Sequence, residues 1–160
     1  MNLELVKLSK FSGNEASIYT LFDIDEGKTL FDKFIIENIN SFKSEIKDIS
    51  VRLERIGRRS GAREIYFKLN EGKPGDGVCA LYDEANKKLR LYCIRYGKSL
   101  LILGGGGAKT TRTLQEDSKL NKENSFLVKI SKQILDRLKN GEIRYVNEGM
   151  DFEGEINFEI

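Results

Sequence analysis

Apolar residues recur along the chain with two different periods, and the switches between them mark the elements. Leu3, Leu5 and Leu8 begin a short pattern, and Ser17-Ile18-Tyr19-Thr20-Leu21-Phe22 is rich in β-branched and aromatic residues, which predicts two early strands joined around Ser12-Gly13-Asn14. Phe31, Phe34, Ile35 and Ile39 then recur at helical spacing. After Asn40-Ser41 a second helical series, Phe42, Ile46, Ile49, Leu53 and Ile56, runs to Gly57 and Gly61. Beyond Gly61 the period falls to about 2. Ile65, Phe67 and Leu69 alternate with Glu64, Tyr66 and Lys68, a glycine-proline turn covers Glu71 to Gly77, and three apolar runs follow: Val78 to Tyr82, Leu89 to Tyr96, and Ser99 to Leu103. Gly97-Lys98 joins the last two as a short hairpin connection.

Three or four consecutive antiparallel strands are therefore expected. Leu89, Leu91 and Cys93 share a parity, so Arg90 and Tyr92 point to the opposite face, as Tyr66 and Lys68 do on their own strand. With two helices on the apolar face, these polar and aromatic residues are expected to line the other. Phe126, Leu127, Ile130, Ile134, Leu135 and Leu138 predict a third helix ended by Asn140-Gly141, and the alternation of Ile143, Tyr145, Val146, Ile156, Phe158 and Ile160 predicts added strands at a sheet edge. The fold class is α+β: an antiparallel sheet with an N-terminal helix hairpin packed on one face and a further C-terminal helix.

A chain of 160 residues with a single proline and 39% apolar residues fits one domain. A chain of about this size buries roughly 70% of the surface its unfolded form exposes, so no disulfide or metal is needed to hold it. The two cysteines form no disulfide framework, the first residues carry no basic-then-apolar leader, and no apolar run approaches membrane length. A cytoplasmic protein without a membrane anchor is expected. Histidine is absent altogether, which excludes Ser-His-Asp and Cys-His hydrolases, histidine-ligated zinc and a histidine-based ribonuclease. Proton transfer must use carboxylate, lysine, tyrosine or water. Asp23-Ile24-Asp25-Glu26-Gly27 hints at a calcium loop, but its glycine comes one position early and Phe34 occupies the place of the twelfth-position carboxylate. No metal or cofactor is expected.

The net charge of +2 conceals segregation. Arg52 to Lys73 holds seven basic residues against three acidic ones, Lys87 to Arg112 holds seven and no acidic residue, and five carboxylates with no cation follow Arg144. Segregated positive charge points to an anionic partner such as nucleic acid. The run Leu103-Gly104-Gly105-Gly106-Gly107-Ala108-Lys109-Thr110 is not a P-loop, because the positions six and one before the lysine are Leu103 and Ala108. Four glycines would still let backbone N–H groups approach an anion beside Lys109 and Arg112.

The order of helix pair, then Phe67-Lys68-Leu69, Cys79-Ala80-Leu81-Tyr82, Leu89-Arg90-Leu91-Tyr92 and Ser99-Leu100-Leu101-Ile102-Leu103, then a glycine-bearing turn with Lys109-Thr110, resembles RelE/HigB-type toxins over roughly Phe31 to Leu120. The resemblance implies one domain spanning 1–160, with an N-terminal β-hairpin (about 1–25) and a C-terminal extension (about 121–160). It implies an mRNA endoribonuclease of a toxin-antitoxin system, acting on the ribosome and neutralised by a co-encoded antitoxin. The family's arginine falls on Arg90 and its lysine on Lys109, with its further basic set extending to Lys68 and Arg112; Tyr92, Lys68 or a distant carboxylate is expected to assist proton transfer, and Lys68, Arg95, Lys98 and Arg112 are expected to bind RNA. Such toxins often carry two adjacent lysines where this chain has Ala108-Lys109-Thr110. A non-enzymatic nucleic-acid-binding or protein-interaction domain is the alternative.

Overall fold

The computed structural model describes residues 1–81, 86–109 and 114–160, and the side chains of all of these except 114–117. A hairpin of β1 (Asn2–Lys7) and β2 (Ser17–Asp23) leads through β3 (Lys28–Thr29) to α1 (Leu30–Asn38) and α2 (Lys43–Arg55). Then come β4 (Phe67–Lys68), β5 (Val78–Leu81), β6 (Leu89–Tyr96), β7 (Leu100–Ala108), α3 (Leu114–Asn140), β8 (Ile143–Val146), β9 (Asp151–Gly154) and β10 (Asn157–Glu159). The main sheet runs β10-β1-β2-β7-β6-β5-β4, with β3 paired to β2, and β8-β9 forms a separate hairpin.

The sheet is mostly antiparallel, as expected, with one correction. β2 and β7 run parallel, Ser17 opposite Leu100 and Thr20 opposite Leu103. The chain leaves β2 through β3, two helices and strands β4 to β6 before returning as β7, and only so long a crossover lets a strand come back parallel. The expected N-terminal helix hairpin is likewise corrected, since three strands precede the first helix. α1 starts directly off β3 because Thr29 and Asp32 form a reciprocal capping box: Thr29 Oγ1 accepts from Asp32 N at 2.9 Å, and Asp32 Oδ2 accepts from Thr29 N at 3.2 Å.

Both faces of the sheet are buried, which was not foreseen. Leu89, Leu91 and Cys93 face α1 and α2 in a cluster with Phe31, Phe34 and Leu53. The other parity, Tyr92 and Ile94, lies under α3 with Leu127, Ile130 and Ile134, and the β8-β9 hairpin extends this cover with Ile143 and Phe152. α3 is about twice as long as its apolar stripe from Phe126 suggested. It ends as expected, with Gly141 at φ 77 and Glu142 N donating to Arg137 O at 2.9 Å. The expected strand at Ile65 is also corrected. Glu64–Tyr66 is a 3-10 turn, β4 keeps only Phe67 and Lys68, and Ile65 is 76% exposed.

The outer edge of the sheet is closed from α3. Ile156 O and Ile160 N bond toward β1, so the carbonyls of Glu155 and Asn157 face outward, and Arg137 Nη1 donates to both at 2.7 and 2.6 Å. The same guanidinium lies 4.2 Å from the Phe158 ring centroid. An unpaired strand edge is a template for association. Arg137→Ala is expected to lower stability by about 1–2 kcal/mol and to introduce concentration-dependent self-association. Sedimentation velocity of a monodisperse variant at every concentration would contradict this.

Asp151 fastens the β8-β9 hairpin to the sheet. Its Oδ1 accepts from Lys7 Nζ at 2.9 Å, Tyr19 Oη at 3.0 Å and Ser17 Oγ at 3.3 Å, and its Oδ2 accepts from Asn147 Nδ2 at 2.8 Å. Burial opposes its charge, yet the hydrogen bonds from Asn147, Lys7 and Tyr19 outweigh it and hold the carboxyl below its ordinary value. Burial, with the carboxylate beside it, pushes the Tyr19 hydroxyl up to about 12. Asp23, almost wholly buried, is lowered as well, chiefly by Lys33 Nζ at 2.7 Å. A carboxyl lowered in the folded state stabilises the fold above its unfolded pKa, and that contribution disappears as pH falls through the folded value. The thermal midpoint is therefore expected to decline from about pH 4 downward. Asp151→Asn should cost about 1–3 kcal/mol at neutral pH and flatten that decline. An acid limb identical to that of the unmodified chain would reject the assignment.

Candidate functional site

One constellation of charged side chains lies on the α3 face, where β6 begins and β7 ends. Arg90 stands opposite Gly107 in the β6-β7 register, and Lys68 stands opposite Ala80, which shares the α3-facing cluster with Tyr92. The turn after β4 folds back between them and brings in Glu71, whose N–H donates to Val78 O at 3.1 Å and whose carbonyl accepts from Asn124 Nδ2 of α3 at 2.7 Å. Glu71 Oε1 thereby lies 3.3 Å from Arg90 Nη1 and 3.7 Å from Lys68 Nζ. Arg90 and Glu71 are each 17% exposed at the side chain, whereas Lys68 is 55% exposed.

Lys109 N donates to Lys88 O at 2.7 Å, which carries the β6-β7 pairing one step beyond β7. Ala108 packs toward the α1-α2 side, so alternation sets Lys109 on the same side of the sheet as Arg90. Arg90, Lys68 and Glu71 thus occupy one end of one face, and the Lys109 backbone lies at the same end of the sheet. Tyr92 does not join them at the surface. The expectation that it lines an open polar face is corrected by α3, which covers that face and leaves Tyr92 only 4% exposed among Ile94, Ile102 and Leu127.

The expected RNA-binding set is divided by the fold. Arg95 has the parity of Cys93, so it lies on the α1-α2 side of the sheet, about 17 Å along the strand from Arg90 at the usual rise per residue. Its Nε donates to Ala62 O at 2.6 Å and its Nη1 lies 3.7 Å from Glu64. With Lys73, Asn70, Leu69 and Cys79 it borders a cleft of about 250 Å³. Lys98 is exposed in the β6-β7 turn, at the opposite end of the sheet from Lys109. Arg112 lies outside the described residues.

The glycine run is a strand, which corrects its reading as an anion-approach loop. Gly104 to Gly107 form the second half of β7 and are buried. A Cβ at Gly104 would stand 3.0 Å from the Leu127 methyls, one at Gly105 would meet the Glu123 carboxylate, and one at Gly106 would meet the Arg90 carbonyl. The missing Cβ atoms let α3 and β6 approach β7.

Neither cysteine is a nucleophile here. Cys79 and Cys93 are paired neighbours on β5 and β6, both buried, and burial pushes the Cys79 thiol up to about 12 and the Cys93 thiol well above its ordinary range. Among the described residues, no group of three or more cysteines and carboxylates is placed to hold a metal ion, and no helix is long and apolar enough to cross a membrane. Sequence reasoning missed Glu71 and Asn124. Glu71 is one of only three acidic residues within the basic stretch Arg52 to Lys73, and that isolation was the available signal. No family model, curated protein or solved structure matches the chain.

Proposed function

We propose that this protein is an RNA-directed, RelE/HigB-like toxin of the cytoplasm, an endoribonuclease neutralised by a co-encoded antitoxin. The observation that supports the reading is the contact of one Glu71 carboxylate oxygen with both Arg90 and Lys68, in a chain without histidine. In this reading Glu71 takes the proton of a ribose 2′-hydroxyl as its oxygen bonds to the adjacent phosphorus. Arg90 and Lys109 bear the charge that gathers on the phosphorane. The bond from phosphorus to the 5′-oxygen then breaks, and Lys68 or water protonates the departing oxygen. The products are a 2′,3′-cyclic phosphate and a 5′-hydroxyl.

Induced expression of the chain in a bacterial host, with RNA from translating ribosomes and free RNA examined by primer extension, tests the proposal. Growth arrest with cleaved messenger is expected from the unmodified chain, and neither is expected from Arg90→Ala. Cleavage confined to translating ribosomes would locate the substrate there. RNA binding without any cleavage would replace the enzyme by the non-enzymatic nucleic-acid-binding reading.

A further inference from the structure

The cations left unused by the Glu71 constellation gather at the opposite end of the sheet. α2 runs on into a single π-helical turn, Ile56–Ser60, closed by Gly61 at φ 74. This turn is held from two sides. Gly57 O accepts from Glu15 N and Ala16 N, both at 3.0 Å, and Arg58 Nη2 donates to Lys10 O at 3.0 Å. Ala62 N then donates to Lys98 O at 2.7 Å, while Arg95 Nε takes the Ala62 carbonyl. These bonds bring the end of α2, the π turn and the β6-β7 turn onto one rigid pole.

Arg55, Arg59, Arg63 and Lys98 are exposed there, and none of the four has a carboxylate partner among the described residues. The acidic groups of the same pole are few. Glu54 is held by Arg58 at 2.7 Å and Glu64 lies 3.7 Å from Arg95, so among the described residues of this pole only Glu15 is left against the exposed cations. Lys73 and Arg95 carry the positive strip onward to the cleft described above.

Like charges gathered on one pole repel one another, and exposed arginines without a carboxylate partner add little to the stability of the fold. A polyanion removes the repulsion, and its condensed counterions are released when its phosphates are neutralised. Guanidinium groups match phosphate oxygens in paired hydrogen bonds. No aromatic residue lies between Arg52 and Arg63, so this stretch offers no platform for stacking unpaired bases. Backbone recognition of a helical RNA needs none.

We propose that this pole is a docking surface for the phosphodiester backbone of double-helical RNA, sequence-independent and separate from the Glu71 constellation. It deepens the RNA-directed reading by giving the molecule a second contact, and it is read out by binding alone, so its failure is distinguishable from failure of the cleavage chemistry.

Fluorescence anisotropy with a labelled RNA duplex of mixed sequence, over a series of salt concentrations, tests it. The double variant Arg59→Glu with Arg63→Glu is expected to bind at least tenfold more weakly. Its slope of log affinity against log salt should be smaller in magnitude by about 2, one step per lost phosphate contact. A control with the same change in net charge on exposed positions of α3, Lys129→Glu with Lys139→Glu, should change affinity less than threefold. Should the glutamate pair disturb folding by circular dichroism, Arg59→Gln with Arg63→Gln is expected to show the same loss of slope. Equal losses in the pole and control variants would reduce the effect to net charge and overturn the proposal, as would unchanged binding by the pole variant. Displacement of the duplex by polyglutamate as effectively, charge for charge, as by unlabelled RNA would overturn it in favour of an acidic protein partner.

Discussion

Gly106→Ala is expected to prevent the chain from folding or to lower its stability by more than about 3 kcal/mol, whereas Gly107→Ala is expected to cost less than about 1 kcal/mol. The two glycines are neighbours in β7, so propensity does not separate them. What separates them is what a methyl group would touch. At Gly106 it would collide with the carbonyl of Arg90 and stand 3.1 Å from the Leu91 Cα, both backbone atoms of β6 held in the sheet. Relief would require β6 and β7 to part at the point where the ladder is already irregular, between Leu91 and Cys93. At Gly107 the nearest atom is the Lys119 Cε at 3.4 Å, a flexible side chain that can give. Gly104 and Gly105 fall between, since their methyl groups would press first on side chains, the Leu127 methyls and the Glu123 carboxylate, with the Tyr92 carbonyl 3.3 Å from the one at Gly104. The predicted order of thermal midpoints places Gly106→Ala lowest, Gly104→Ala and Gly105→Ala intermediate, and Gly107→Ala nearest the unmodified chain. A Gly106→Ala protein as stable as Gly107→Ala would mean that the approach of the two strands is not what selects glycine here.

The same strand shows where sequence reading succeeded and where it stopped. The helical stripes of Phe31, Phe34, Ile46, Ile49 and Leu53 and the parity of Leu89, Leu91 and Cys93 were legible, because each residue alternates against charged or polar neighbours and all of them meet in one cluster. The second buried face was harder to see. Between Leu114 and Asn124, Leu120 is the single aliphatic residue after the first position, so the amphipathic period of α3 becomes visible only at Phe126. Tyr92 and Arg90 were consequently assigned to an open surface. Leu100-Leu101-Ile102-Leu103 did carry the information, since a strand apolar at both parities is one buried on both sides. Glu71 was invisible for a different reason. Its meeting with Arg90 depends on how tightly the Asn70 to Gly77 turn folds back, with Asn70, Gly75 and Gly77 all at positive φ and the Asp76 carboxylate accepting from Lys73 N and Val78 N. Turn geometry of that kind is set by hydrogen bonds within the loop, and spacing along the chain does not reveal which strand end the loop will reach.

If Glu71 and Arg90 act as one unit, Glu71→Gln should reduce RNA cleavage by about 10²–10³-fold, the range expected when a positioned proton acceptor is removed. Arg90→Ala should produce a loss of similar size, because the cation aimed at developing phosphorane charge is gone and the half-buried Glu71 keeps only the more exposed Lys68 at 3.7 Å. The decisive measurement is the double variant. Two groups serving the same transition state lose most of their joint contribution when either is removed, so the combined loss should exceed the larger single loss by less than about tenfold. Arg90→Lys retains charge but not the planar donor pair, and it should recover only part of the rate. Stability supplies the control that a merely structural pair could not pass. The Glu71–Arg90 contact at 3.3 Å also ties the β4–β5 turn to β6, so Arg90→Ala is expected to lower the thermal midpoint, whereas Glu71→Gln keeps the shape of the side chain and should change it little. Cleavage that falls in proportion to lost stability across the set would leave Glu71 and Arg90 as a structural ion pair and remove them from the chemistry, whereas a double variant whose losses multiply in full would show that they act independently and not as one unit.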